Sequence, residues 1–177
     1  KGVMYAIDAG VDNAKYDIIL ITAVDEIFPI ISIDKMIDLI VYKNFDFVSG
    51  TRYSKGGERL GGSLLGGFLS KIANKFFKIL TQIPLSDCTT GIKMMKKNTW
   101  QSIHLTSKPV GWAFSFELSI RAWIQDKKIT EFPLKSVDRL FGGSSTFKSN
   151  PWIAEYGRCF VWGVNQIWKK HKKLNEK

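Results

Sequence analysis

The segment Tyr16-Asp17-Ile18-Ile19-Leu20-Ile21-Thr22 carries a continuous apolar run of strand length. A strand with one wet face alternates apolar and polar residues, whereas an unbroken run suits a strand covered on both faces of a parallel sheet. The flanks agree. Met4, Ala6, Ile7, Ala9 and Val11 fit a short helix before it. After it, Ile33, Met36, Ile37 and Ile40 recur at helical spacing with Asp34, Lys35 and Asp38 between them, and Phe45 to Ser49 reads as the next strand. Strand–helix–strand alternation predicts right-handed crossovers and a mostly parallel sheet flanked by helices, an α/β fold.

Further along, residues 53–67 hold six glycines, at 56, 57, 61, 62, 66 and 67. They predict a mobile loop that would suit a lid. Phe68, Leu69, Ile72, Ala73, Phe76, Phe77 and Leu80 share one helical face, and Lys71, Lys75 and Lys78 share another. That pattern favours a helix facing the core with a solvated basic side, with a phospholipid-contact face as the alternative. Phe114 to Ile124 reads as another helix. The run from Ile129 to Leu134 reads as an edge-like strand, because Pro133 has no N–H to donate.

From Pro151 the character changes, which divides the chain into residues 1–150 and an aromatic, basic, amphipathic segment over 151–177. Trp152, Tyr156, Phe160, Val164, Ile167, Trp168 and His171 line one side of a helix, followed by Lys169, Lys170, Lys172 and Lys173. Both a helix lying in a membrane interface and one packed on the domain or a partner helix satisfy this spacing.

The formal net charge is +10, but the last ten residues alone hold five lysines against one glutamate. Much of the excess is therefore a tail, and the aromatics sit at core or helical spacing rather than interleaved with basic residues, which excludes nucleic acid as the expected partner. No apolar run of about 18 residues exists to span a bilayer. The two cysteines, Cys88 and Cys159, are expected to be reduced in a cytosolic protein. His104 and His171 offer no metal-ligand spacing.

Two motifs carry the chemistry: Asp87-Cys88-Thr89-Thr90-Gly91-Ile92-Lys93 and Asp138-Arg139-Leu140-Phe141-Gly142-Gly143-Ser144. A carboxylate before a glycine turn and a later arginine loop would bring an acid and a phosphate-binding cation to one pocket. Taken singly, Asp87 also reads as a turn cap and Arg139 as a surface cation. Asp25 follows the apolar run directly, where open α/β sheets place their ligands, and it also reads with Glu26 as a cap of the following helix.

Together with Gly50-Thr51-Arg52-Tyr53, Ser70-Lys71-Ile72-Ala73-Asn74, Phe116-Glu117-Leu118 and Glu131-Phe132-Pro133-Leu134, these motifs resemble family 2 glycosyltransferases. The similar branch contains dolichyl-phosphate mannosyltransferase and the bacterial polyprenyl-phosphate sugar transferases. The resemblance implies a GT-A-type nucleotide-diphospho-sugar transferase fold and an inverting glycosyltransferase. Such an enzyme moves sugar from a nucleotide-sugar donor to a lipid-linked or surface-glycan acceptor at the cytoplasmic face of the cell membrane. It implies Asp87 and Glu117 as the catalytic acids, and Arg52, Ser70, Arg139 and Ser144 as the donor- or acceptor-phosphate contacts. Asp25 is the implied ligand of a divalent metal, Mn or Mg, although Ala23 stands where the family has the first acid of Asp-x-Asp.

Gly66 and Ser145 replace basic residues of that branch, which points to a surface-glycan transferase. The family's base-holding segment would precede Lys1, so a fragment, or a chain completed by an upstream segment or subunit, is expected. Two other readings stand beside this one: a polyprenyl-phosphate sugar synthase proper, and a non-catalytic, membrane-associated partner subunit.

Overall fold

The structure is a computed structural model that describes residues 3–23, 26–108, 111–138 and 149–176. Its elements in chain order are α1 (Val3–Asp12), β1 (Ile18–Ile21), β2 (Glu26–Ile27), α2 (Ile31–Val41), β3 (Phe47–Thr51), β4 (Glu58–Gly61), α3 (Leu64–Thr81), β5 (Lys93–Lys96), α4 (Lys97–Ser102), α5 (Ala113–Ile124), β6 (Ile129–Pro133), β7 (Lys135–Asp138) and α6 (Ser149–Asn175). The main sheet has the order β1-β5-β3-β6, and a small one has the order β2-β7-β4.

Strands β1, β3 and β6 run the same way, and β5 is inserted antiparallel between β1 and β3. The sheet is thus mostly parallel, as expected, with one reversed strand. Side-chain alternation along each strand divides the interior into two cores. Ile19, Ile21, Phe47 and Met95 face α1, α3, α5 and α6, while Val48, Met94 and Leu134 face Met36 and Ile40 of α2. Both faces of β1 are covered, which is why its sequence does not alternate.

Two expectations change. The glycine-rich stretch contains an ordered strand, β4, paired in parallel with β7. Its turns are made by Gly56 before it and by Gly61 and Gly62 at its end, all three with φ between 68° and 90°, conformations that side chains other than glycine rarely adopt. In α3, only Phe77 of the apolar face is buried, and Phe68, Leu69, Ile72, Phe76 and Leu80 are exposed. The inner stripe is instead Ser70, Asn74, Phe77 and Thr81, because Asn74 and Ser70 hydrogen-bond inward to the Asp87 segment and the buried Thr81 hydroxyl is satisfied by the Phe77 carbonyl of its own helix.

The C-terminal helix α6 packs one side on α5 and α3, placing Cys159, Val164 and Ile167 in the larger core. Gly163 permits this approach, since a Cβ there would stand 2.6 Å from Ile120 and 3.0 Å from Phe77. Among the described residues, no helix is long and apolar enough to cross a membrane.

Candidate functional site

The C-terminal end of β3 leads directly to Arg52, and the segment between α3 and β5 delivers Asp87 to meet it. Arg52 donates from Nε to Asp87 Oδ2 at 2.7 Å and from Nη2 to Oδ1 at 3.0 Å, a forked pair of the geometry that makes arginine–carboxylate contacts directional. Oδ1 also accepts from the Thr89 N–H, the Thr89 hydroxyl and the Thr90 N–H at 2.9 to 3.2 Å. The Asp87 carboxylate therefore has its lone pairs filled and its side chain fully buried. Burial alone would raise its pKa, but the Arg52 charge and hydrogen bonds, helped by Lys93 and Thr89, more than offset that and hold it below the usual carboxylate range.

Ser70 joins through Thr89, their hydroxyl oxygens 3.1 Å apart, and Arg52 Nη2 donates to the same Thr89 oxygen at 3.2 Å. Asn74 donates to Thr89 at 3.0 Å and accepts from the Cys88 N–H at 2.8 Å. Arg52, Ser70 and Asp87, drawn from three separate segments, thus form one network, whose hub, Thr89, periodicity did not single out.

Beneath it lies Lys93, wholly buried in β5. Its ammonium donates to Ser49 at 3.0 Å, and Ser49 donates to the Asp87 carbonyl at 3.2 Å. Burial lowers the Lys93 pKa to about 8, with Asp87 among the charges that partly offset the shift. Gly91 is required between these residues, because a Cβ there would stand 2.8 Å from the Trp112 ring. Burial likewise pushes the Cys88 thiol up to about 12, so it remains a neutral core group.

The network opens on a cleft of about 320 Å³ lined by Arg52, Tyr53, Arg59, Ser63, Phe68 and Lys71 among others. Ser63 caps α3 by accepting from the Gly66 N–H. The positive end of an 18-residue helix and three basic side chains, against the single acid Glu58, therefore border one cavity, a setting that favours a phosphate or another anion.

Glu117 lies in a different place. Its carboxylate accepts from the N–H groups and hydroxyls of Thr106 and Ser107 and from Arg121 Nε at 2.5 Å, and it shares no partner with Asp87. Burial would raise its pKa, but the Ser107, Thr106 and Arg121 hydrogen bonds outweigh that and lower it. The geometry is that of a brace between α5 and the loop before it.

Asp25, Arg139 and Ser144 lie outside the described residues. Glu26, which follows Asp25 in sequence, pairs with Asp138, which precedes Arg139, and Asp138 also pairs with Gly61. Among the described residues, no group of three or more His, Cys, Asp or Glu could hold a metal ion.

A family model described as glycosyl transferase family 2 matches residues 1–102. Among solved structures, glucosyl-3-phosphoglycerate synthase from Mycobacterium tuberculosis is similar. In complex with Mn2+, uridine diphosphate and phosphoglyceric acid it aligns with a TM-score of 0.66 at 12% identity, covering 94% of this chain and 54% of that one. With Mn2+, UDP-glucose and phosphoglyceric acid the values are 0.65, 12%, 94% and 55%. With phosphoglyceric acid alone they are 0.61, 12%, 96% and 55%. At this identity the likeness is one of fold, the GT-A type, and the chain spans about half the length of that protein. With more than half of its residues matched by the family model and its fold shared with a synthase that binds a nucleotide sugar, this chain belongs to glycosyl transferase family 2.

Proposed function

We propose that the chain is the acceptor-side part of an inverting glycosyltransferase that moves sugar from a nucleotide-sugar donor to a lipid-linked or surface-glycan acceptor at the cytoplasmic membrane face. The observation that carries this reading is the Arg52–Asp87 pair on the wall of a cationic cleft at the α3 N-terminus. Asp87 holds the guanidinium in one orientation, and Thr89, itself tied to Ser70 and Asn74, holds Asp87. Arg52, with Arg59 and Lys71 nearby, meets a phosphate. A guanidinium already fixed in place loses little conformational freedom when an anion arrives.

The occupied lone pairs of Asp87 and Glu117 favour one acceptor class. A hydroxyl acceptor needs a general base, and both expected acids would have to break several hydrogen bonds to serve. An acceptor phosphate is already ionised. This favours the polyprenyl-phosphate branch over a neutral surface glycan, as do Leu64 and Phe68 in the same cleft.

A divalent ion would neutralise the departing diphosphate, and the similar synthase binds Mn2+ with UDP-glucose. The described residues offer no donor set for it, so its proposed ligand remains Asp25. Arg139 and Ser144 stand as proposed phosphate contacts beside it.

The test is calorimetric titration of the chain with UDP, GDP and dTDP, each with and without Mn2+, and with a short polyprenyl phosphate. Binding of the polyprenyl phosphate that Arg52→Ala weakens about tenfold or more, the loss of one charge-assisted hydrogen bond, supports the acceptor assignment. Unchanged binding in Arg52→Ala overturns it. Binding of one nucleotide only with Mn2+, lost in Asp25→Ala, supports the metal assignment, and metal-independent binding overturns that.

A further inference from the structure

Helix α3 presents its greasy side to the outside. At 3.6 residues per turn, Ser70, Asn74, Phe77 and Thr81 form the stripe that faces the domain, and Leu65, Phe68, Ile72, Phe76 and Ile79 fall on the opposite side. Phe68, Phe76 and Ile79 are 58 to 64% exposed, and Leu64 at the helix start is 90% exposed. Trp168 of α6 extends this surface, half exposed while its indole N–H donates to the Leu80 carbonyl at 2.6 Å.

Lysines predominate around it, although Lys172 stands 3.9 Å from Glu176 and Lys170 pairs with Asp126 at 2.5 Å. Lys71, Lys75 and Lys78 run along one flank of α3, the helix contains no acid, and the exposed Lys169, Lys172 and Lys173 follow Trp168. A second copy of the chain would bring lysine rows and a net charge of +10 against their like, which Coulomb repulsion disfavours. An anionic lipid surface complements both features. Apolar side chains enter the acyl boundary, lysines reach the headgroups and an indole sits at the rim.

We infer that α3, with the Trp168 end of α6, is an in-plane docking surface for an anionic bilayer, lying beside the cleft so that its mouth meets the headgroup layer. The inference deepens the proposed function by assigning the surface that holds the chain at the membrane. It rests on that reading only for the meaning of the cleft's position, not for the binding itself.

The test is flotation of the full chain with phosphatidylcholine vesicles, with and without about 30 mol% phosphatidylglycerol, at low salt and at about 0.5 M NaCl, where screening is short-ranged. The expected result is binding to the anionic vesicles, reduced by salt, and at least about tenfold weaker for Ile72→Gln/Phe76→Gln/Ile79→Gln, which removes apolar insertion. Those side chains point away from the core, and circular dichroism checks that the variant folds.

Three outcomes overturn the inference: no binding to anionic vesicles, equal binding by the triple variant, or a dimer in sedimentation velocity that the triple variant converts to monomer. The last would make a second copy the occupant. Nucleotide titration is read separately, so vesicle binding lost with nucleotide binding intact removes this inference and leaves the transferase reading standing.

Discussion

Asp87 keeps its charge without contact with water, and the stability this confers depends on pH in a definite direction. Its pKa is lowered in the fold from an unfolded value of about 3.9. The contribution is therefore fully present above about pH 4 and is lost as pH falls through the folded-state value. Asp87→Asn keeps the shape but removes the charge that faces Arg52, and breaking such a buried pair costs about 3–5 kcal/mol. Urea unfolding at pH 7 should show that loss, and the variant's stability should fall less steeply as pH drops below about 4. Lys93 works in the opposite direction. Its pKa of about 8 in the fold lies below an unfolded value of about 10.4, so between these values the unfolded chain binds more protons and stability rises with pH. Lys93→Met should abolish that rise, as read from unfolding midpoints across the same window.

Among the elements, α3 is held at two levels. Polar residues tie it to the Asp87 segment, and Phe77 anchors it in the core, edge-on to Phe116 with ring centres 4.9 Å apart and to Phe160 at 5.2 Å. Phe77→Ala removes both contacts and leaves a cavity where three helices meet, so a loss of about 3–5 kcal/mol is expected in chemical denaturation. Because Ser70 and Asn74 ride on the same helix, the network around Thr89 should loosen with it. Weaker protection of the Cys88 and Thr89 amides in hydrogen exchange would show this coupling. Helix α6 is held differently. Trp168 and Lys170 cap carbonyls at the ends of α3 and α5, so its basic end is docked through part of its lysine set while Lys169, Lys172 and Lys173 stay exposed.

At the scale of the molecule, β1, α2, β3, the helices at α3 and α5, and the edge position of β6 were legible in the sequence, because each depends on a feature within its own segment. The Ile18 to Ile21 run does not alternate, and both its faces are covered. Strand β5 was not legible. Its four residues, Lys93-Met94-Met95-Lys96, begin and end in lysines, and what makes Lys93 acceptable inside is the Ser49 hydroxyl, 44 residues earlier in the chain. Strand β4 escaped notice for a similar reason, since its partner β7 lies more than seventy residues away. The residue types of the site were readable as motifs, but their meeting was not. That Arg52 grips Asp87 and that Ser70 and Asn74 reach Thr89 depend on hydrogen bonds between distant segments, and that Glu117 braces the loop before its helix depends on a chain reversal that periodicity does not show. Local periodicity by itself determined which segments become helices and core strands. It also showed that α3 has an apolar face, but only the tertiary structure decided that this face turns outward, because the inner stripe is the one whose polar groups find partners.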